Sequence, residues 1–131
     1  MIVDTSALIA IITDEPDAAR VRDAMLTAAR VQMSAPNAVE AGLVLGGRGL
    51  ERPERVVDEI LDHFRIETID FTAVHARAAV SAWNTYGRGR HPAKLNYGDC
   101  MAYATAKLAG EPLLFVGADF GLTDIEPALR S

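Results

Sequence analysis

Short apolar runs alternate with longer amphipathic stretches along the chain. Met1-Ile2-Val3 is a small β-branched run that stops at Asp4; Thr5 and Ser6 follow, and Ala7 to Ile12 is apolar throughout. This predicts a buried strand, a turn with capping hydroxyls, and a helix hidden on nearly every side. Pro16, among Asp14, Glu15 and Asp17, opens a second helix to about Ala29, with Ala18, Val21, Ala24, Met25 and Ala28 on one face. Val31 to Ala35 reads as a strand. Pro36-Asn37 starts a helix carrying Ala38, Val39, Ala41, Leu43, Val44 and Leu45, which Gly46, Gly47 and Gly49 end. Glu51 to Phe64 is amphipathic at helical spacing, and Ile66 to Ile69 alternates as a strand. Thr72 caps a helix reaching about Tyr86, residues 87–96 form a loop, and Tyr97 to Ala109 is a helix ended by Gly110. Pro112 to Val116 is an apolar strand, followed by a turn at Gly117–Gly121 and a short segment near Asp124-Ile125.

Strands that read as continuous apolar runs, alternating with helices, predict an α/β fold around a mostly parallel sheet. The 131 residues suffice for one domain, 1–131, with a self-sufficient core. A composition of 50% hydrophobic and 24% charged residues excludes a disordered tail or collagenous repeat. The single Cys100 forms no internal disulfide and suits a reducing cytosol. Asp4 interrupts the N-terminus before a secretory apolar region could form, so a cytoplasmic protein is expected.

The candidate chemistry lies in acids among apolar neighbours. Asp4 follows the first strand, and Asp119 follows the apolar Leu113-Leu114-Phe115-Val116. Glu40 is the only acid between Asp23 and Glu51, and Asp99 is the only one from Phe71 to Ala109. A lone buried carboxylate is costly, so such groups are paired, hydrogen-bonded or bound to metal. Asp4 also fits an ordinary strand-to-helix cap, and Asp99 fits a dipole or capping residue equally well. Glu40, in mid-helix, has no capping role. If the fold brings the four together, their oxygens suit Mg²⁺ or Mn²⁺. His63, His75 and His91 lie far apart, which disfavours zinc. A haloacid-dehalogenase phosphatase needs a second Asp where Ser6 stands. A response-regulator receiver needs a paired acid near the first strand and a Lys after the last, and neither is present.

Charge is unevenly spread. The net charge is −5, yet Phe71 to Gly98 carries Arg77, Arg88, Arg90 and Lys94 and no acid, leaving nine basic and eighteen acidic residues elsewhere. Arg88, Arg90 and Lys94, interleaved with Tyr86, His91 and Tyr97, suit phosphate contacts and base stacking, although a solvated loop has the same composition. A phosphate-holding loop beside a carboxylate cluster fits metal-assisted phosphodiester hydrolysis. RNA binding without catalysis, or a structural partner domain, leaves the acids unexplained.

Four segments in order, Ile2 to Leu8, Glu40 in the third helix, Leu95 to Cys100, and Leu113 to Phe120, resemble the PIN-domain ribonucleases. They resemble most the VapC toxins of type II toxin–antitoxin systems. The resemblance implies a three-layer α/β/α sandwich and a Mg²⁺- or Mn²⁺-dependent endoribonuclease cutting RNA, often tRNA or rRNA, thereby inhibiting translation and growth. It also implies dimerisation and inhibition by a VapB-type antitoxin. The family's acidic quartet maps onto Asp4, Glu40, Asp99 and Asp119, and its active-site hydroxyl onto Ser6. Arg88, Arg90 and Lys94 would hold RNA phosphates. Many relatives carry Thr and a further Asp or Asn just before the last acid, where this chain has Val116-Gly117-Ala118. Thr123 or Asp124 is the expected source of the missing polar contact.

Overall fold

The computed structural model describes residues 1–130. Its elements in chain order are β1 (Ile2–Val3), α1 (Thr5–Ile12), α2 (Ala18–Thr27), β2 (Gln32–Ser34), α3 (Ala35–Gly47), α4 (Pro53–His63), β3 (Glu67–Ile69), α5 (Ala73–Tyr86), α6 (Tyr97–Ala109) and β4 (Leu113–Leu114), followed by a 3₁₀ turn at Phe120–Leu122. The strands form one sheet in the order β3-β2-β1-β4, and every pair is parallel.

Successive strand residues face opposite sides, so each short strand feeds two cores. Ile2 and Leu113 pack toward α5 and α6 with Ala79, Ala102 and Ala106. Val3, Met33 and Leu114 pack with Leu8, Val21, Leu45 and Val57 from α1 to α4. The result is the expected three-layer α/β/α sandwich. Ile2, Val3, Leu113 and Leu114 are all fully buried, and each such side chain stabilises the fold by roughly 1.5–3 kcal/mol.

Local chemistry sets the helix ends. The Ser34 side chain accepts from Asn37 N–H at the start of α3, where Pro36 occupies the first turn and needs no amide partner. Asn96 and Asp99 exchange side-chain-to-backbone hydrogen bonds at the start of α6. Gly110 ends that helix in the left-handed conformation, φ 64°, which costs little without a Cβ.

Two expectations change. The second helix begins at Ala18, because Pro16 lies in a turn in which Ala18 N–H donates to Glu15 O. The predicted strand 112–116 pairs only at Leu113 and Leu114; Val116 N–H leaves the ladder and donates to the Ser6 hydroxyl at 3.0 Å. Beyond it, the C-terminal segment returns along β4, with Leu113 N–H donating to Glu126 O and Ala128 N–H to Leu113 O. Among the described residues, no helix is long and apolar enough to cross a membrane.

Candidate active site

The chain leaves β1 toward β2 and β3 on one side and returns to β4 on the other. The carboxyl ends of β1 and β4 therefore flank the switch point of the sheet, where open α/β sheets form a crevice. Asp4 stands there. It is the N-cap of α1 and only 3% exposed. Its Oδ2 accepts from Ser6 N–H at 3.0 Å and from the Ser6 hydroxyl at 2.6 Å. Its Oδ1 is buried with no hydrogen-bond partner. Ser6 thus links the two strands at the crevice: it donates to Asp4 after β1 and accepts from Val116 after β4.

A cavity of about 280 Å³ opens over Asp4, lined by Ser6, Glu15, Glu40, Arg48, Asp99 and neighbouring apolar groups. Burial pushes Asp4 up to about 7; the Ser6 hydrogen bonds oppose the shift, while Asp99 and Glu40 add to it. Burial also raises Asp99. The Asn96 amide opposes that shift, Glu40 and Asp119 raise Asp99 further, and Arg88 lowers it. Glu40 and Asp99 thus act on Asp4, and Asp119 acts on Asp99 alone, being exposed and outside the cavity lining. Asp99 caps α6, its Oδ2 accepting from Asn96 N–H at 3.0 Å, and it also lines the cavity.

Asn37 holds the two central helices in place. Only 1% exposed, it accepts from the Ser34 hydroxyl at 2.6 Å and donates to Gly98 O at 3.1 Å and Glu40 Oε1 at 3.4 Å. Its own carbonyl accepts from Thr5. Asn37, Gly98, Glu15 and Arg48 were not legible as site residues. The Ser34-x-x-Asn37 spacing and the placement of Asn37 one turn before Glu40 were the available signals. Arg48, the C-cap of α3, brings a cation to the lining.

The basic loop is built as a compact turn. Leu95 N–H donates to Tyr86 O, and Arg88 N–H to Leu95 O. Arg88, Arg90 and Lys94 are exposed and line one open concavity of about 510 Å³. Arg88 is the member that acts on Asp99, whereas the Arg90 guanidinium lies over the Trp83 ring, 4.3 Å from its centroid. Thr123 and Asp124 do not reach the site. Thr123 Oγ donates to Phe120 O, and Asp124 accepts from Tyr103 and from Lys107 at 3.1 Å. Both fasten the C-terminal segment.

Among the described residues, no three His, Cys, Asp or Glu side chains are gathered closely enough to hold a metal ion together. The donor set still fits a hard divalent cation: Asp4 Oδ1 has no other partner, and Mg²⁺ takes only one or two carboxylates directly while keeping several waters.

A parallel sheet carrying acids at its switch point defines a class, and the PIN domain family matches residues 1–126. VapC ribonuclease Mb2780c of Mycobacterium bovis is 47% identical over 131 residues, covering 98% of this chain and 98% of that protein. Ribonuclease VapC of Mycolicibacterium smegmatis is 44% identical over 125 residues, covering 95% and 97%. The crystal structure of Mycobacterium tuberculosis VapC20, a Sarcin-Ricin loop cleaving toxin, shares the fold with TM-score 0.73 at 18% identity, over 96% of this chain and 98% of that one. A toxin–antitoxin complex from Klebsiella pneumoniae superposes with TM-score 0.71 at 19% identity, over 99% and 98%. The chain belongs to the PIN-domain family and, within it, to the VapC ribonucleases.

Proposed function

We propose that this endoribonuclease is the toxin of a VapBC pair, that it depends on Mg²⁺ or Mn²⁺, and that it cuts tRNA or rRNA and so inhibits translation and growth in the cytoplasm. The observation that carries the metal reading is the buried, unpartnered Oδ1 of Asp4, a residue that lines one pocket with Glu40 and Asp99. An isolated buried oxygen of this kind costs about 1–3 kcal/mol or more unless a ligand meets it.

Asp4, Glu40 and Asp99 would hold the cation, directly or through water. Bound there, it supplies Lewis acidity that activates water and offsets charge developing on the phosphate oxygens. Ser6 holds Asp4 by one oxygen and leaves the other without a partner. Asp119, exposed and acting on Asp99, either completes the metal site or positions the attacking water. Arg88, Arg90 and Lys94 hold flanking phosphates, with Arg88 nearest the acids.

The antitoxin reading draws support from α3, where Val39 is 60% and Leu43 72% exposed beside an apolar groove toward α4. A basic antitoxin side chain, Arg above all, would complement the acidic pocket. Exposed Val80 and Trp83 on α5 and Tyr97 on α6 support a homodimer.

The test is cleavage of total RNA by antitoxin-free protein with Mn²⁺, with Mg²⁺ and with EDTA, alongside Asp4→Asn. Cleavage that persists in EDTA, or that Asp4→Asn leaves intact, would overturn the metal mechanism.

A further inference from the structure

A second cavity, of about 690 Å³, lies beside the carboxylate pocket and shares Val116 with it. Its walls include Val21 of α2, Phe115, the Gly117-Ala118 backbone, Leu129 and Arg20. We infer that this cavity is a subsite for one nucleoside of the RNA, adjacent to the phosphodiester that is cut. The inference rests on the ribonuclease reading and adds where the neighbouring base sits.

Its size falls within the range of small-ligand clefts, about 300–1,000 Å³. The lining suits a base and ribose, with apolar side chains beside N–H donors. The Arg20 guanidinium is partly offset by Asp17 at 3.3 Å and also donates to Arg130 O at 3.1 Å. With Arg130 also in the lining, the wall combines apolar side chains and N–H donors with one more cation than acid. Among the described residues, the amides of Gly117 and Ala118 donate to no protein acceptor. Free main-chain groups beside apolar surface are what read the edges and faces of unstacked bases. Gly117, at φ 110°, gives the backbone its turn at this point.

Continuity places the occupant. The strand-end segment that lines this cavity also carries Val116 N–H, which holds Ser6, which in turn holds Asp4. Farther along the same segment, Asp119 acts on Asp99. A chain whose phosphate lies over Asp4 therefore has its next nucleoside within reach of the second cavity. A base seated there would press on the segment that orients the acids, so its identity would bear on rate as well as on affinity.

The test uses variants that alter the cavity and leave the acids alone. A Cβ at Gly121 meets nothing within 4 Å, and Gly121 lines the cavity, so Gly121→Trp adds bulk at its wall without a clash at Cβ. Arg20→Ala removes one of the two arginines lining the cavity and costs little fold stability, because its ion pair is exposed. The probe is a pool of single-stranded RNA oligonucleotides of random sequence, cut in Mn²⁺, with the new ends sequenced. Wild type should prefer particular bases at one position flanking the cut. Gly121→Trp should lose about tenfold or more in kcat/KM, the loss expected when one base contact is removed, and should flatten that preference. Arg20→Ala should change the preference at the same position while keeping the wild-type melting temperature and Mn²⁺-induced shift. If Gly121→Trp melts early, Arg20→Ala decides alone. Unchanged rate and base preference in the folded variants would overturn the subsite, with the ribonuclease reading intact. Wild type that cuts no RNA in the pool would overturn both.

Discussion

Gly98 on α6 lies directly against the carboxylate of Glu40 on α3: a Cβ at residue 98 would overlap both Glu40 oxygens. The smallest residue thus sits where the two helices bring their acids together. Gly98→Ala should push the flexible end of Glu40 aside without breaking the core. The expected outcome is a melting temperature close to wild type in EDTA, a smaller Mn²⁺-induced rise, and at least tenfold slower RNA cleavage. Cleavage at the wild-type rate would show that the position of Glu40 does not matter.

Asp99→Asn separates the two roles of that side chain. Asn keeps an oxygen for the Asn96 amide, and it removes a charge that burial, Glu40 and Asp119 all disfavour. In EDTA the variant should match or exceed wild-type stability. In millimolar Mn²⁺ it should gain much less than wild type, because stabilisation by ligand follows native-state binding. A cap alone would lose roughly 0.3–1 kcal/mol in both conditions. Melting curves of both proteins in EDTA and Mn²⁺ decide, and equal metal-induced shifts would remove Asp99 from the site.

The raised pKa of Asp4 fixes the sign of a pH effect. Unfolded, the group titrates near 3.8, and folded near 7. Across that window the native state keeps a proton that the unfolded chain has lost, so the contribution of Asp4 to stability falls as pH rises. Relative to Asp4→Asn, metal-free wild type should become less stable between about pH 4 and pH 7, by on the order of a few kcal/mol. Because a ligating carboxylate must be deprotonated, Mn²⁺ should stabilise wild type more at the upper end of the window. Parallel curves for the two proteins would contradict the assignment.

Asn37→Ala should be among the more damaging single changes. It strands the buried Ser34 hydroxyl and takes the second donor from the Gly98 carbonyl, which keeps its helical partner, at a cost of about 1–3 kcal/mol. Denaturant unfolding measures it directly. A loss within the range of ordinary surface substitutions would show that these groups find other partners.

Arg88→Ala and Arg90→Ala should each weaken RNA binding and reduce its salt slope by about one counterion. Only Arg88→Ala should also raise the apparent pKa of the site, since Arg88 is the cation that lowers Asp99 and Arg90 rests on Trp83. Binding titrations at several salt concentrations, together with the pH profile of cleavage, separate the two.

The order and type of the elements were legible because period-2 and period-3.6 patterns are local, and because Pro36, Thr72 and Gly110 mark element ends through backbone chemistry that needs no distant partner. The four acids stood out for a similar reason: Asp4, Glu40, Asp99 and Asp119 break apolar stretches, and a charge in such company calls for a partner wherever the chain goes. What the pattern could not contain was distance. The shortening of β4, the fit of Gly98 to Glu40, and the reach of Asn37 from α3 to α6 each join residues far apart in the chain. They depend on how layers pack, to within fractions of an ångström. The same holds for Asp124, whose acid type suited the site until tertiary packing gave it to Tyr103 and Lys107. Residue type sets which chemistry is available, and packing decides which oxygen is left without a partner to perform it.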